Sequence, residues 1–280
     1  MKTRKYLLSF GLVLASVVST YFATTSTAQQ GVPRQAAAAD NEYQIGAILY
    51  MQKAAEYRAL AFQAFNIAAV QLDADEKARK KLPKAERKKP RAVVVDVDET
   101  VLDNSPAQAV QVKNRLPFIQ EKWTAWINMR RARAIPGAID FLNYASRKGA
   151  RIFYVTNRIE VEKQPTVDNL KALGFPDVSD ETVLVKTTES SKEARRQTIL
   201  QKYRIAILIG DNLDDLSNVF ERKTIDARFA EVDKAREMFG RKFIVLPNAM
   251  YGTWENAVYE YGRLTEAQKA EKRANALEGY

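Results

Sequence analysis

Residues 92–105 read AVVVDVDETVLDNS, and the expected fold follows from this stretch. Its first part is a β-branched run without polar interruption, which is typical of a strand buried on both faces of a parallel sheet. Asp96 and Asp98 follow directly, and alternate side chains of an extended backbone lie on the same face. Two carboxylates that meet beyond a buried strand repel each other unless a cation or a proton offsets their charge. The stretch therefore predicts a buried strand that leads into an acidic site.

Further runs of the same kind follow this strand. The additional strands are predicted at residues 150–156, 205–210 and 242–246, with a shorter candidate at 182–185. Helices are predicted between them at residues 136–148, 160–173 and 192–203. Alternation of strand and helix is typical of an α/β protein with a doubly wound parallel sheet. In such sheets ligands bind at the carboxyl ends of the strands.

Two other segments complete the expected domain, which covers residues 44–280. Apolar residues at helical spacing over residues 44–72 predict one long amphipathic helix or two shorter ones, as an N-terminal helical extension. The segment at about 104–135 carries Phe118 and Trp123 but has no signature of a central strand. We therefore expect it to form a small inserted cap.

The first 28 residues have the pattern of a secretory signal peptide. Basic residues precede an apolar run over residues 6–18, and small residues end at Ala28. A membrane-spanning helix needs about 20 apolar residues, so an uncleaved anchor is the less favoured alternative. Bacterial lipoprotein processing acylates a cysteine, and the chain has none. We expect cleavage after Ala28, a disordered segment over residues 29–43, and a periplasmic or secreted protein without a stable membrane anchor.

The composition excludes several kinds of chemistry. The chain has 0 cysteines and 0 histidines. Disulfides, thiolate nucleophiles and zinc–thiolate sites are therefore excluded, as are phosphohistidine and Ser-His-Asp mechanisms. Catalysis must use carboxylates, lysine or hydroxyls, and oxygen ligands favour magnesium.

The net charge of +10 includes one strongly basic run over residues 73–91. This run predicts an exposed helix and connector with a solvated surface. Nucleic-acid binding is the alternative, but no aromatic residues are interleaved with the charges to stack on bases. We therefore expect no nucleic-acid partner.

Polar residues also follow the other predicted strands. They are Thr156 and Asn157 after the second strand, Lys192 at the start of a helix, and Asp211, Asp214 and Asp215 after the strand at 205–210. Each has a structural alternative, because aspartates cap helices, Thr-Asn fits a turn and a lysine can lie at the surface. Their order at the ends of successive strands indicates one shared site.

This order resembles a known signature. D-x-D-x-T, a strand-end Thr, a Lys and G-D-x-x-x-D are similar to the four motifs of the haloacid dehalogenase (HAD) superfamily, whose members mostly transfer phosphoryl groups. The chain further resembles class C acid phosphatases, the bacterial 5′-nucleotidases of lipoprotein type, in the stretches EKWTAWI, IFYVTNR, IGDNLDD and LPNAMYGTWENAV. The similarity extends over nearly the whole mature chain. It does not extend to the lipid-bearing cysteine that those relatives often carry.

The resemblance implies hydrolysis of phosphomonoesters through an aspartyl-phosphate. Asp96 would be the nucleophile, and Asp98 would act as general acid and then as general base. Lys192 would neutralise charge at the phosphoryl group and hold Asp96. Thr156 and Asn157 would donate hydrogen bonds to the phosphoryl oxygens.

The resemblance also implies a Mg²⁺ site. Asp96, the backbone carbonyl of Asp98 and Asp211 would hold the ion, with Asp215 in a supporting position. Asp214 is the alternative to Asp215.

Two aromatic residues bear on the choice of substrate. Trp123 and Tyr251 occupy positions that look like the base-stacking aromatics of the family, although core packing is the alternative for both. Stacking would favour nucleoside 5′-monophosphates as the small phosphomonoester substrates. A broad-specificity acid phosphatase and a non-catalytic exported protein that binds nucleotides or other ligands are the alternatives.

Overall fold

The computed structural model describes residues 41–280, so the predicted signal peptide over residues 1–28 lies outside the described residues. The α-helices of that range are α1 (Ile45–Lys53), α2 (Ala55–Ala78), α3 (Lys84–Lys88), α4 (Ser105–Lys113), α5 (Gln120–Asn128), α6 (Ala138–Arg147), α7 (Lys163–Ala172), α8 (Glu193–Lys202), α9 (Ile225–Lys234), α10 (Thr253–Val258) and α11 (Glu266–Asn275). The strands are β1 (Arg91–Val95), β2 (Leu102–Asp103), β3 (Arg133–Ala134), β4 (Arg151–Val155), β5 (Val183–Leu184), β6 (Arg204–Gly210) and β7 (Phe243–Val245).

Five of the strands form a parallel sheet in the order β5-β4-β1-β6-β7. The apolar run over residues 92–95 forms most of β1, which lies at the centre of the sheet between β4 and β6. Its residue Val95 is opposite Tyr154 on one side and Ile209 on the other. The doubly wound α/β fold predicted from the sequence is confirmed.

The side chains of β1 divide the core into two layers. Val93 and Val95 pack in one cluster with residues of α2 and α6. Ala92 and Val94 pack in a second cluster with residues that include Ile199 of α8. The side chains of Ala92, Val93, Val94 and Val95 are all buried, which is why this part of β1 contains no polar residue.

The N-terminal extension forms two helices. The backbone is extended at Ala54, between α1 and α2, and α2 then continues into the charged run as far as Ala78. Arg204 at the start of β6 donates two hydrogen bonds to the Asp75 carboxylate, at 2.6 and 2.7 Å. Part of the basic run therefore fastens α2 to the sheet and is not only a solvated surface.

Residues 41–43 of the segment predicted to be disordered belong to the fold, and the remainder of that segment, residues 29–40, lies outside the described residues. Asn41 Nδ2 donates to the backbone oxygen of Leu116 at 3.0 Å, and the hydroxyl of Tyr43 donates to the Glu255 carboxylate. These contacts join residues far apart in the chain, and local composition cannot show them.

No helix within residues 41–280 is long and apolar enough to cross a bilayer.

The segment predicted as a cap contains α4 and α5. The short strands β2 and β3 pair antiparallel at its base, with Leu102 opposite Ala134. The nitrogen of Ile135 donates to the oxygen of Val101 at 3.0 Å, which returns the chain to the sheet domain. The insertion therefore leaves and re-enters the domain next to the residues that follow β1.

Candidate active site

A cleft of about 650 Å³ opens at the carboxyl ends of β1 and β6. Asp96 and Asp98 follow β1, Asp211 follows β6, and Lys192 immediately precedes α8. All four line the cleft. The tertiary structure thus brings these predicted residues together at the edge of the sheet where parallel folds bind ligands.

Asp96 and Lys192 form a buried ion pair, with side chains 7% and 6% exposed. The Lys192 ammonium donates to Asp96 Oδ1 and, at 2.6 Å, to Asp215 Oδ1. Burial raises the pKa of Asp96 and the nearby carboxylates add to the effect, whereas Lys192 opposes it. Burial lowers the pKa of Lys192, but Asp215 and Asp96 outweigh burial, so that its pKa is raised overall. Lys192 is therefore a fixed cation beside the Asp96 carboxylate.

Three carboxylates form a compact cluster beside this pair. Asp96, Asp211 and Asp215 each offer one oxygen, and these oxygens lie within 4.8 Å of one another. Asp211 also accepts hydrogen bonds from Thr100 Oγ1 and Asn248 Nδ2, both at 2.9 Å. Burial and Asp215 raise the pKa of Asp211 to about 7, against the opposing effect of Asn248 and Thr100.

The donor set of this cluster fits a hard divalent cation. All three ligand groups are carboxylate oxygens, which Mg²⁺ and similar ions prefer. Buried carboxylates this close are stable as anions only when a cation offsets their repulsion, and Lys192 supplies one positive charge for three acids.

Asp215, and not Asp214, belongs to the cluster. Asp215 is 9% exposed and Asn212 N donates to its Oδ2 at 3.0 Å, which orients the other oxygen towards Lys192. Asp214 instead accepts a hydrogen bond from Arg228 at 3.2 Å. The geometry therefore places Asp215 in the acid cluster, and its support of a metal ion stays a prediction.

Asp98 lies apart from the cluster, in a network of donors. Its Oδ1 accepts from Arg158 Nε at 3.0 Å, Arg158 Nη2 at 2.8 Å and Asn104 Nδ2 at 2.9 Å. Its Oδ2 accepts a single bond, from Thr156 Oγ1 at 3.2 Å. Three hydrogen bonds thus fix Oδ1 of Asp98, whereas Oδ2 accepts one and has more capacity to bond a ligand.

Sequence reasoning missed Arg158 as a site residue. Its side chain is only 2% exposed and forms the ion pair with Asp98. The available signal was its position two residues after Thr156, at the end of β4. Nothing local distinguishes it from the many other arginines of the chain.

Thr156 and Asn157 lie at the end of β4 but in different surroundings. Thr156 is fully buried, and its hydroxyl bonds Asp98 and accepts from Arg158 N at 3.1 Å. Asn157 lines the cleft, and its Oδ1 accepts from Arg195 at 2.7 Å. The geometry gives Thr156 a part in orienting Asp98, whereas direct contact of either residue with a phosphoryl group stays a prediction.

The two predicted aromatics also differ in exposure. Trp123 is 9% exposed, with the Phe118 ring at 6.3 Å and the Arg158 guanidinium at 6.0 Å from its ring. Tyr251 is half-buried and lines the cleft. Phe118, which the sequence marked only as a cap aromatic, is 60% exposed and lines the same cleft. Trp123 lines the same cleft as well, so all three rings border the space open to a ligand, and base stacking by any of them stays a prediction.

Comparison with known proteins identifies the class of protein to which this fold belongs. The family model of the HAD superfamily, subfamily IIIB (acid phosphatase), matches residues 7–254. A solved structure of the class C acid phosphatase from Bacillus anthracis is 38% identical, covers 86% of this chain and 98% of its own, and superposes with a TM-score of 0.80. A crystal structure of that enzyme with tungstate bound matches at 39% identity with the same coverage and TM-score.

A plant relative matches a smaller part of the chain. Acid phosphatase 1 from Solanum lycopersicum is 28% identical over 130 residues, which is 44% of this chain and 51% of the relative. The chain thus spans about half the length of the curated relatives it matches. The chain belongs to the HAD superfamily, subfamily IIIB, and its resemblance to the class C acid phosphatases is confirmed. Membership of this family implies a divalent metal, which the Asp96, Asp211 and Asp215 cluster is suited to hold.

Proposed function

We propose that the chain is an exported, Mg²⁺-dependent acid phosphatase that hydrolyses nucleoside 5′-monophosphates through an aspartyl-phosphate on Asp96. The observation that carries the proposal is the buried contact between the Lys192 ammonium and the Asp96 carboxylate on the wall of an open cleft. A phosphate dianion approaches a carboxylate only when its charge is offset. Lys192 provides that offset at the attacking group.

The first step transfers the phosphoryl group to Asp96. A carboxylate oxygen of Asp96 forms a bond to phosphorus while the bond between phosphorus and the leaving oxygen breaks. A proton held at Asp98 Oδ2 passes to the leaving oxygen, which departs as an alcohol. Arg158 and Asn104 hold Oδ1, so the carboxyl group keeps its orientation while the proton moves.

The second step releases phosphate. A water molecule attacks phosphorus, Asp98 accepts its proton, and the bond from phosphorus to Asp96 breaks to restore the carboxylate. Asp96, Asp211 and Asp215 would hold the Mg²⁺ ion beside the reacting group. When bound, the ion offsets negative charge on the phosphoryl oxygens and on these carboxylates.

The cleft supports a nucleoside as the leaving group. Its volume of about 650 Å³ is in the range of sites for drug-sized ligands. Phe118 and Tyr251 line it and provide aromatic surface on which a base can stack. Trp123 lines the cleft too, although only 9% of it is exposed. The second candidate is a broad-specificity acid phosphatase, in which these rings only pack.

Export is the part of the proposal that rests on residues 1–28 alone. Their basic start, apolar run and small residues before Gln29 support a cleaved signal peptide. Sequencing the amino terminus of the protein recovered from an export-competent bacterial host tests cleavage after Ala28.

Release of inorganic phosphate by the purified protein tests the proposed reaction. A nucleoside 5′-monophosphate, a sugar phosphate and an aryl phosphate are compared with Mg²⁺ and with EDTA. We expect metal-dependent turnover that is greatest for the nucleotide, and its loss in Asp96→Asn, whose amide cannot form an acyl-phosphate. Asp226→Asn, at an exposed aspartate of α9, is the matched control. Turnover by Asp96→Asn equal to that of the wild type would contradict the proposal. Binding of the nucleotide by the wild type without any phosphate release would contradict it as well.

A further inference from the structure

The hydrogen-bond network around Asp98 extends into the inserted cap. We infer that Trp126 of α5 is a positioning residue for the reaction. Its indole N–H fixes the side-chain amide of Asn104, and this amide holds the Asp98 carboxylate in the orientation that leaves Oδ2 available for proton transfer. The inference deepens the proposed function and rests on it, because it needs Asp98 as the proton donor.

Asn104 is fully buried at a position where an asparagine usually has another role. It directly precedes α4, and an asparagine side chain at that position commonly accepts a hydrogen bond from the first turn of the helix. The Asn104 side chain forms no such bond. Instead, its Nδ2 donates to Asp98 Oδ1 at 2.9 Å, and its Oδ1 accepts from Trp126 Nε1 at 2.8 Å. The amide therefore serves the Asp98 network and not the helix.

The two ends of the Asn104 amide are not interchangeable. The indole nitrogen of Trp126 only donates, so it requires the amide oxygen. Asp98 Oδ1 already accepts two hydrogen bonds from Arg158, so it requires the amide nitrogen. A reversed amide would place its oxygen against Asp98 Oδ1 and its nitrogen against the indole N–H, and both hydrogen bonds would be lost. Trp126 thus selects the amide orientation that supports Asp98.

The other contacts of this amide are longer. Arg158 Nη2 lies 3.3 Å from Asn104 Oδ1, and the same nitrogen donates to Asp98 Oδ1 at 2.8 Å. Asn104 Nδ2 lies 3.4 Å from the backbone oxygen of Leu102. Both distances exceed the usual range of N–H···O hydrogen bonds. The contact with Trp126 is therefore the short one that orients the amide oxygen.

Helix α5, which carries Trp126, is held by a buried acid. Glu162 is fully buried, and its Oε1 accepts from Gln120 Nε2 at 2.8 Å and from Thr124 Oγ1 at 2.6 Å, both on α5. Its Oε2 accepts from the backbone nitrogen of Ile159 at 2.9 Å, in the segment that follows β4. Glu162 therefore joins the cap helix to the carboxyl edge of the sheet, which fixes the place of Trp126 relative to the site.

Trp126→Phe tests the inference, because a phenyl ring retains most of the packing and lacks the N–H. We expect kcat on glycerol phosphate to fall about two- to tenfold with little change in KM. An activated aryl phosphate should lose little, since its leaving group departs with little protonation. Trp254→Phe is the matched control and should change neither value, because Trp254 is 43% exposed and its indole nitrogen bonds no other residue within 41–280.

A double-mutant cycle with Asn104→Ala separates positioning from packing. Asn104→Ala removes the amide on which the indole acts, so Trp126→Phe should lower kcat on glycerol phosphate no further in that background. If Asn104→Ala melts well below the wild type, Asn104→Ser provides the same comparison.

Three kinetic results would overturn the inference. Equal losses of Trp126→Phe on glycerol phosphate and on the aryl phosphate would make Trp126 a packing residue. An unchanged kcat on glycerol phosphate would remove it from the network. An undiminished effect of Trp126→Phe in the Asn104→Ala background would show that it does not act through the amide.

The indole N–H signals in nuclear magnetic resonance separate this inference from the proposed function, because they report the contact without turnover. The chain has three tryptophans, and Trp126→Phe identifies one of the signals by its loss. Asn104→Ala should shift the Trp126 signal and leave that of Trp254 in place. Phosphate release by the wild type without this shift would reject the inference alone. Absence of phosphate release from every ester would reject the proposed function, and with it the role of Trp126 in the reaction.

Discussion

At the scale of single residues, neighbouring carboxylates acquire different chemistry from their contacts. Asp96 faces the Lys192 ammonium within a buried cluster of acids. Asp98, two residues later, accepts from Arg158, Asn104 and Thr156 and remains outside that cluster. One group is thus suited to attack phosphorus and the other to move a proton, although the sequence motif presents them as a symmetrical pair.

Asp98→Asn tests this division of roles. An amide keeps the size of the side chain but cannot transfer the proton, so esters with a poor leaving group should lose more activity than an activated aryl phosphate, which departs with little protonation. The measurement is kcat/KM for a nucleoside monophosphate and for an aryl phosphate in wild type and variant. Equal losses on the two substrates would remove the acid role from Asp98.

The aromatic residues of the cleft provide a second residue-scale prediction. Phe118→Ala and Tyr251→Ala should each remove base stacking of about 1–3 kcal/mol, which lowers kcat/KM for a nucleoside monophosphate about five- to 150-fold. Glycerol phosphate, which has no ring, should lose less and serves as the control substrate. Parallel losses on both substrates would show that these rings only pack.

Trp123→Ala should also lower stability, because Trp123 is only 9% exposed although it lines the cleft. Truncation of a buried aromatic side chain typically costs about 3–5 kcal/mol of unfolding free energy. Thermal or urea unfolding measures this loss, and Phe118→Ala is the comparison because Phe118 is largely exposed. A large loss of nucleotide selectivity with unchanged stability would contradict this prediction.

At the scale of elements, the end of β6 determines where the acids lie. The strand ends at Gly210, and a short 3₁₀ turn over Leu213–Asp215 follows. The backbone nitrogen of Asn212 bonds Asp215 Oδ2 at 3.0 Å, which folds the carboxylate back over the strand end. The side chain of Asp215 thereby occupies the space where a Cβ of residue 210 would lie.

Gly210→Ala should therefore disturb the acid cluster without a change at any charged residue. The added methyl group would overlap Asp215 and displace it from Lys192 and Asp211. We expect a higher Mg²⁺ concentration for half-maximal activity and a lower kcat. Gly46→Ala is the matched control, because its Cβ would meet nothing within 4 Å. Unchanged metal dependence in Gly210→Ala would contradict this account of the strand end.

At the scale of the whole molecule, the fold concentrates buried acids at one edge of the sheet. The pKa of Asp211 is raised from its ordinary value of 3.8 to about 7, chiefly by burial and then by Asp215. Burial also raises the pKa of Asp96 and of Glu99, which is fully buried. The folded protein without metal therefore binds protons that the unfolded chain has released.

This difference predicts how stability depends on pH in the absence of metal. Between the unfolded pKa of 3.8 and the folded value of about 7 for Asp211, the folded state holds more protons, so the free energy of unfolding falls as pH rises through this window. Thermal unfolding in EDTA should show a melting temperature that decreases from pH 4 to pH 8. Mg²⁺ at pH 8 should restore it, since a ligand that binds the folded state stabilises it.

Asp211→Asn is the control for this pH dependence. An amide does not titrate, so the variant should lose part of the pH dependence and part of the stabilisation by Mg²⁺. A melting temperature in EDTA that rises from pH 4 to pH 8 would contradict the proposed electrostatics.

The local sequence alone determined the strand and helix order, because buried parallel strands and amphipathic helices have short-range patterns. It also determined the candidate chemistry, since the chain has neither cysteine nor histidine. The predicted strands correspond to β1, β4, β5, β6 and β7, and Asp96, Asp98, Lys192 and Asp211 line one cleft. The later helices α9, α10 and α11 were not predicted.

Only the tertiary structure decided the partners of these residues. Arg158 reaches Asp98 across 60 positions of the chain, and Asn248 reaches Asp211 across 37. The choice of Asp215 over Asp214, and the exposure of Phe118 with the burial of Trp123, depend on such distant contacts. The physical reason is that burial and hydrogen bonding depend on what packs against a side chain, and a local pattern contains no information on segments distant along the chain.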